Sequence, residues 1–375
     1  MIHFPHADAL CAWPQPYDGD SLPPGLFDRA MAEISLFHSH HTPGYEHWLN
    51  ANGLWADDLD RLTDWSRLPP IYASYFKQRL LLSPTAEGAL ELTSSGTSGQ
   101  KSRMRYDERS MAAAQGMVVN IFEHYGWSTP DSPCNYLLFS HEPEAANRLG
   151  TAYTDQFLCR FAPANRLAYA LRCTGKGHEF DVFGAIGTLQ SFAEEGLPVR
   201  IFGFPALLWH VLERMRETGI QDLKLAAGSL VFLGGGWKKQ AAEEIPRRHV
   251  YERITQQLGI EVQRCRDGYG AVEHAVPYIE CAHHRFHVPV YSKVFIRHPS
   301  DFSVQPFGEP GLLSFVSPYI SSSPAHAVVM SDLATLHPAN CKCGLQTQWF
   351  ELHGRAGTSA SRSCAMAAAE LIKEN

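Results

Sequence analysis

Nine consecutive residues, Thr93-Ser94-Ser95-Gly96-Thr97-Ser98-Gly99-Gln100-Lys101, carry the densest chemistry in the chain. Hydroxyls donate to anionic oxygens, glycines let backbone N–H groups approach an anion, and a lysine adds positive charge. A loop of this kind suits a polyphosphate. The plainer alternative is a polar hairpin turn, although a turn needs only about two to five residues. The flanks Ala89-Leu90-Glu91-Leu92-Thr93 and Ser102-Arg103-Met104-Arg105-Tyr106 read as strands on either side. A Walker loop opens directly into a helix and ends in Gly-Lys-Ser/Thr. Here Gln100 separates Gly99 from Lys101 and an alternating segment follows, so the Walker reading is excluded.

Two glycine-rich segments follow. Val231-Phe232-Leu233-Gly234-Gly235-Gly236 ends a buried strand in a side-chain-free shelf, which suits a flat base or simply a tight turn. Asp267-Gly268-Tyr269-Gly270-Ala271-Val272-Glu273 reads as a glycine-flanked loop. Tyr269 offers a face for stacking, and Glu273 offers a hard oxygen for Mg²⁺ bridged to phosphate. A buried tyrosine and a surface glutamate would explain the same residues.

Cys281, His283, His284, His287 and Cys341-Lys342-Cys343-Gly344 form a second constellation. Two thiolates with an upstream cysteine and histidine fit a four-ligand structural zinc site. Of the three histidines His287 is favoured, because it is expected to start a strand over Val288-Pro289-Val290. Reduced surface cysteines are the alternative. Finally, Cys364 lies in Ser361-Arg362-Ser363-Cys364-Ala365, where Arg362 favours a thiolate. It is a candidate nucleophile or an incidental thiol.

The elements that must position these groups follow from pattern. Tyr136-Leu137-Leu138-Phe139, Val199-Arg200-Ile201-Phe202-Gly203 and Leu230-Val231-Phe232-Leu233 read as core strands. A helix is expected from Pro205, and another over 238–258. This rhythm implies a mixed or parallel sheet covered by helices. The domain expectation is a helical, loop-rich lead-in over 1–85, an α/β core over 86–285, a β-rich subdomain over 286–353 and a tail over 354–375. With 45% hydrophobic and 19% charged residues the chain is globular. A net charge of −7 without a basic run argues against nucleic acid. No stretch is apolar enough for a membrane span. No signal peptide is read at the N-terminus, and nine spread cysteines suit reduced thiols, so a cytoplasmic location is expected.

Taken together, Ser94–Gly99, Gly234–Gly236 and Tyr269-Gly270-Ala271-Val272-Glu273 resemble the three signature segments of the adenylate-forming superfamily. Leu68-Pro69-Pro70-Ile71 with Phe76-Lys77, Gly234-Gly235-Gly236-Trp237-Lys238 and Gly354-Arg355…Arg362-Ser363-Cys364 are similar to the LuxE-type acyl-protein synthetases within it. The resemblance covers about residues 35–370. It implies an α/β fold: the superfamily's N-terminal core of helix-covered mixed sheets plus a small β-rich subdomain, without the usual C-terminal domain. It implies that Ser95, Thr97, Ser98 and Lys101 bind the ATP phosphates. Gly235 and Tyr269 would hold adenine, Glu273 would bind Mg²⁺, Asp332 would bind the ribose hydroxyls, and Arg355 would follow the hinge glycine. Related phenylacetate–coenzyme A ligase-like enzymes carry a similar Cys…His…Cys-x-Cys-Gly arrangement. The implied activity is formation of acyl-AMP from ATP and a carboxylic acid, with a fatty acid as the family precedent. Self-acylation on Cys364 follows, for delivery to a reductase, transferase or carrier protein. The alternatives are a ligase acting on coenzyme A or a carrier protein, and a non-catalytic nucleotide-binding scaffold.

Overall fold

The computed structural model describes residues 2–93, 102–143, 155–175, 177–237 and 244–356. The expected phosphate-loop positions Ser94, Ser95, Gly96, Thr97, Ser98, Gly99 and Lys101, and the tail residue Cys364, lie outside the described residues. Contacts divide the chain into two units. One comprises Met1–His124, Gly270–Tyr278 and Arg285–Asn375, and the other Tyr125–Tyr269 and Ile279–His284.

The first unit opens with helices, as the lead-in pattern suggests. Helix Leu26–His41 buries Phe27, Ala30, Met31, Ile34, Phe37 and His38, a spacing that lays one stripe against the core. Strand β1 is Ile71–Tyr72. Strands β2 (Leu90–Thr93) and β3 (Arg103–Tyr106) pair antiparallel, with Thr93 opposite Arg103, as the strand flanks of the hydroxyl loop require. Helix Glu108–His124 starts at once, because the Asp107 carboxylate accepts the Ser110 N–H at 2.7 Å and caps it.

The second unit holds β4 (Cys134–His141), β5 (Ala164–Cys173), β6 (His178–Phe180), β7 (Val199–Gly203), β8 (Leu230–Gly234) and β9 (Cys265–Ala271). The sheet order is β9-β8-β7-β4-β5-β6, parallel throughout except for antiparallel β5–β6. Helices Val182–Glu195, Pro205–Glu217 and Arg247–Leu258 supply the crossovers. Leu137, Phe139, Leu189, Phe192, Ile201, Val231 and Ile254 fill the space between sheet and helices. Each such fully buried side chain stabilises the unit by about 1.5–3 kcal/mol. Of the helix expected over 238–258, the described part runs Arg247–Leu258, and residues 238–243 lie outside the described residues. Residues 244–246 are irregular, and Pro246 occupies the cap position with ψ 130°. Its missing N–H and its ring prevent a helix from running through it.

The chain runs from β4 outward to β5 and β6, then returns to β7 on the other side of β4. The carboxyl ends of β4 and β7 therefore flank the point where strand order reverses, the place where open α/β sheets bind ligands. At that crest Gly203 has φ +124°, and a Cβ there would lie 2.4 Å from the Phe139 carbonyl oxygen.

The first unit then resumes with β10 (His274–Ile279), β11 (Phe286–His287), β12 (Lys293–Arg297), β13 (Pro310–Val316), β14 (Ala327–His337) and β15 (Trp349–Arg355). Its larger sheet runs β11-β15-β14-β13-β12 with antiparallel pairs, and β1 adds parallel to β14. Leu312, Val329, Leu333 and Ala356 pack there with Tyr72.

Candidate active site and candidate metal centre

Gly234 is the last residue of β8, opposite Gly268 of β9. Gly235 and Gly236 follow with φ 78° and 59°, a left-handed turn that side chains rarely adopt. Both are exposed, whereas Trp237 is buried. The turn therefore presents bare backbone at the carboxyl edge of the sheet. Tyr269, expected in a loop, instead lies in β9, near the carboxyl end of a parallel strand. It is partly exposed, which removes the buried-tyrosine alternative.

A buried polar network anchors that strand. The Asp267 N–H donates to Glu280 Oε2 at 2.8 Å, and the Tyr251 hydroxyl donates to the same oxygen at 2.9 Å. Arg247 Nη1 donates to Glu280 Oε1 at 2.6 Å. Burial, with the nearby Glu280 charge, raises the Asp267 carboxyl above its ordinary range. Further along the crest, His141 ends β4 at the reversal point. Its ring meets His178 edge-on at 4.8 Å and Phe204 at 6.3 Å.

In the first unit the structure brings Glu273, Asp332 and Arg355 together from three separate stretches. Glu273 lies in the turn after β9 and is 6% exposed, so the surface-glutamate alternative fails. Burial raises its carboxyl above the ordinary range. A hydrogen bond from the Ser102 hydroxyl and the charges of Lys77 and Arg355 pull it back down. Asp332 of β14 stands opposite Arg355 of β15, and Arg355 Nε donates to its Oδ1 at 3.3 Å. Sequence reasoning assigned no role to Lys77 or Ser102. Lys77 lies one residue past the buried Phe76, and Ser102 directly follows the hydroxyl loop.

The same unit gathers His287, Cys341 and Cys343, whose ligand atoms all lie within 4.8 Å of one another. His287 Nε2 is 3.2 Å from Cys343 Sγ, and its Nδ1 is 2.9 Å from Thr347 Oγ1. Burial pushes the His287 pKa down to about 4, so its imidazole is neutral at ordinary pH. The strand expected over 288–290 is instead Phe286–His287, which pairs with Phe350 and Trp349 of β15. His287 thus ends that strand. A tetrahedral zinc with Zn–S bonds of about 2.3 Å spaces its ligand atoms roughly 3.3–3.8 Å apart, close to the His287–Cys343 separation of 3.2 Å, within a cluster whose ligand atoms spread no further than 4.8 Å. Cys281 belongs to the second unit, where it is buried and receives the His283 N–H on Sγ at 3.3 Å.

Among the described cysteines only Cys173 is exposed. Cys265, next to the nucleotide segment in sequence, is fully buried, and burial pushes its thiol up to about 12. It is therefore a poor nucleophile. Among the described residues, no helix is long and apolar enough to cross a membrane.

Comparison with known proteins places this geometry. Long-chain-fatty-acid–luciferin-component ligase of Aliivibrio fischeri is 23% identical over 353 residues, covering 93% of this chain and 89% of that protein. The Vibrio harveyi protein of the same name is 23% identical over 305 residues, covering 81% and 77%. Among solved structures, 2-hydroxyisobutyryl-CoA ligase in an open conformation with 2-HIB-AMP and CoA aligns with a TM-score of 0.64 at 14% identity, over 92% of this chain and 82% of that one. The same enzyme in its thioesterification state gives 0.64 at 15% identity, over 92% and 74%. The fold is that of adenylate-forming ligases, as the sequence motifs suggest. The profile of the acyl-protein synthetase, LuxE, family matches residues 24–372, and the chain belongs to that family of ligases.

Proposed function

We propose that this protein activates a carboxylic acid, a long-chain fatty acid by analogy with the named relatives, as acyl-AMP and then carries the acyl group as a thioester on Cys364. The observation that carries the first step is the convergence of Glu273, Asp332 and Arg355, which are far apart in sequence, in one unit.

A carboxylate is a poor acyl donor because its leaving group would be oxide. Its oxygen attacks the α-phosphorus of ATP, the Pα–O bond to the β-phosphate breaks, and pyrophosphate leaves. Magnesium, when bound, neutralises phosphate charge, and Glu273 is the carboxylate assigned to it. Lys101 and the hydroxyls of Ser95, Thr97 and Ser98 are assigned to the phosphates, Gly235 and Tyr269 to adenine, and Asp332 to the ribose. Lys77 and Arg355 supply the further positive charge around Glu273. Catalysis then rests on positioning and charge neutralisation. In the second step the Cys364 thiolate attacks the acyl carbonyl of the mixed anhydride, a C–S bond forms, and AMP leaves with the bonding pair. The acyl group passes on to a reductase, transferase or carrier protein.

His287, Cys341 and Cys343, with Cys281 as the fourth ligand, are assigned to a structural zinc. With all four positions protein-supplied, the metal leaves no open site for catalysis.

Incubation with radiolabelled fatty acid and MgATP, followed by a denaturing gel, tests the function. A labelled band at the protein's own mass supports it. Label only on added coenzyme A or carrier protein replaces self-acylation with external transfer, and absence of ATP turnover leaves a nucleotide-binding scaffold.

A further inference from the structure

Val272 and Glu273 form the turn between β9 and β10. Two adjacent buried tyrosine hydroxyls hold the two ends of this turn. Tyr106 donates to the Val272 carbonyl oxygen at 2.6 Å. The Ala275 N–H donates to Tyr319 Oη at 2.9 Å. The two phenol oxygens are 3.2 Å apart. Donor counting leaves one arrangement: the Tyr106 proton is committed to Val272, so the Tyr319 proton points to Tyr106 Oη. The result is a directed chain from Ala275 N–H through Tyr319 and Tyr106 to the Val272 carbonyl. It closes a loop around Glu273, and each bond polarises the next.

The rings lie 6.3 Å apart at 25° and are 2% or less exposed. Burial pushes the Tyr319 phenol up to about 12 and Tyr106 well above its ordinary value, so both protons stay in place at neutral pH. Neither hydroxyl is needed for packing alone, since phenylalanine would fill the same space. Tyr106 also ends β3, the strand that follows the hydroxyl loop in sequence. Arg109 Nη1 holds the Tyr319 carbonyl at 3.1 Å.

We propose that Tyr106 and Tyr319 are positioning residues for Glu273, a hydroxyl clamp that sets where its carboxylate points and so how strongly the site holds MgATP. This rests on the assignment of Glu273 to magnesium.

The test is carboxylate-dependent ATP–pyrophosphate exchange titrated with magnesium, using wild type, Tyr106→Phe, Tyr319→Phe, the double variant and Glu273→Gln. Each tyrosine variant should raise the half-saturating magnesium concentration roughly three- to tenfold, as expected for one net hydrogen bond, and recover its rate at high magnesium. The double variant should shift little beyond either single one, because both break the same chain. A loss that magnesium does not restore would mark general damage and overturn the proposal. So would unchanged magnesium dependence in both tyrosine variants while Glu273→Gln raises it. If Glu273→Gln leaves magnesium dependence unchanged, the magnesium assignment itself falls and the clamp falls with it. A measurement on the unmodified protein covers variants that fail to fold: the Ala275 amide should resist hydrogen exchange, and immediate exchange would overturn the clamp.

Discussion

Thr347 Oγ1 stands 2.9 Å from Nδ1 of His287, while Nε2 of the same ring faces Cys343 Sγ at 3.2 Å. A partner on one ring nitrogen fixes the tautomer and frees the other as a ligand. Thr347→Val should therefore weaken zinc binding about tenfold or more, and Thr347→Ser should restore it. Chelator competition on the purified protein measures this. Equal zinc affinity in the valine variant would remove Thr347 from the site, and zinc below a tenth of an equivalent in wild type would remove the metal.

The first half-reaction depends on charge. Lys101→Ala and Glu273→Gln each remove one charge-assisted contact, an expected loss of about 1.5–3 kcal/mol, or roughly ten- to a hundredfold in exchange rate. Exchange at wild-type rate in both variants would sink the phosphate and magnesium assignments.

The two half-reactions should separate at the tail. Cys364→Ala should keep pyrophosphate exchange near wild type and lose the hydroxylamine-labile acyl adduct in intact-mass spectra. Cys364→Ser should transfer almost as poorly, because a hydroxyl without a base is a far weaker nucleophile than a thiolate. Cys173→Ala should change neither reaction. An adduct that persists in Cys364→Ala and disappears with Cys173 would move the acceptor to β5. Cys265 is not expected to substitute, since its thiol is buried and held protonated.

His38 gives a pH dependence with a definite sign. Its Nε2 donates to the Ile320 carbonyl at 3.1 Å, and Nδ1 accepts from one of the Thr42 and Ser83 hydroxyls, both 3.0 Å away, while those two hydroxyls bond each other at 2.7 Å. The ring stacks on His326 at 4.8 Å. Burial pushes its pKa down to about 4. Above pH 6.5, the ordinary value, it is neutral both folded and unfolded. Between 6.5 and about 4 only the unfolded chain takes the proton, so stability is lost at about 1.4 kcal/mol per pH unit. His38→Asn cannot show that loss. Its destabilisation relative to wild type should shrink by about 2 kcal/mol between pH 6.5 and pH 5 in urea unfolding. A constant difference would contradict the buried neutral imidazole.

Much of this site was legible because its chemistry is local. Hydroxyl runs, glycine triplets and a Cys-x-Cys pair announce themselves at fixed spacing, and the core strands around Leu137, Ile201 and Val231 show as apolar runs. What stayed hidden depends on distant chain segments meeting. Nothing near Tyr106 signals that it will meet Tyr319, 213 residues away. Thr347 looks like any polar loop residue until His287 lies beside it. Lys77 belongs to a family-like segment that names no role for it, and only the folded first unit sets its charge beside Glu273. Pro246 shows the opposite case, a local signal: it caps the helix that starts at Arg247, so no helix continues through it.

Gly203 leads to a conclusion about substitution. Its positive φ excludes most side chains, and the Phe139 carbonyl at 2.4 Å from a built Cβ excludes them again for a separate reason. Two independent obstacles meet at one position, so nearly every substitution of Gly203 should cost stability. Substitutions that alter what the crest of the sheet recognises are therefore expected at the side chains around it, His141 and Phe204 among them, and not at Gly203.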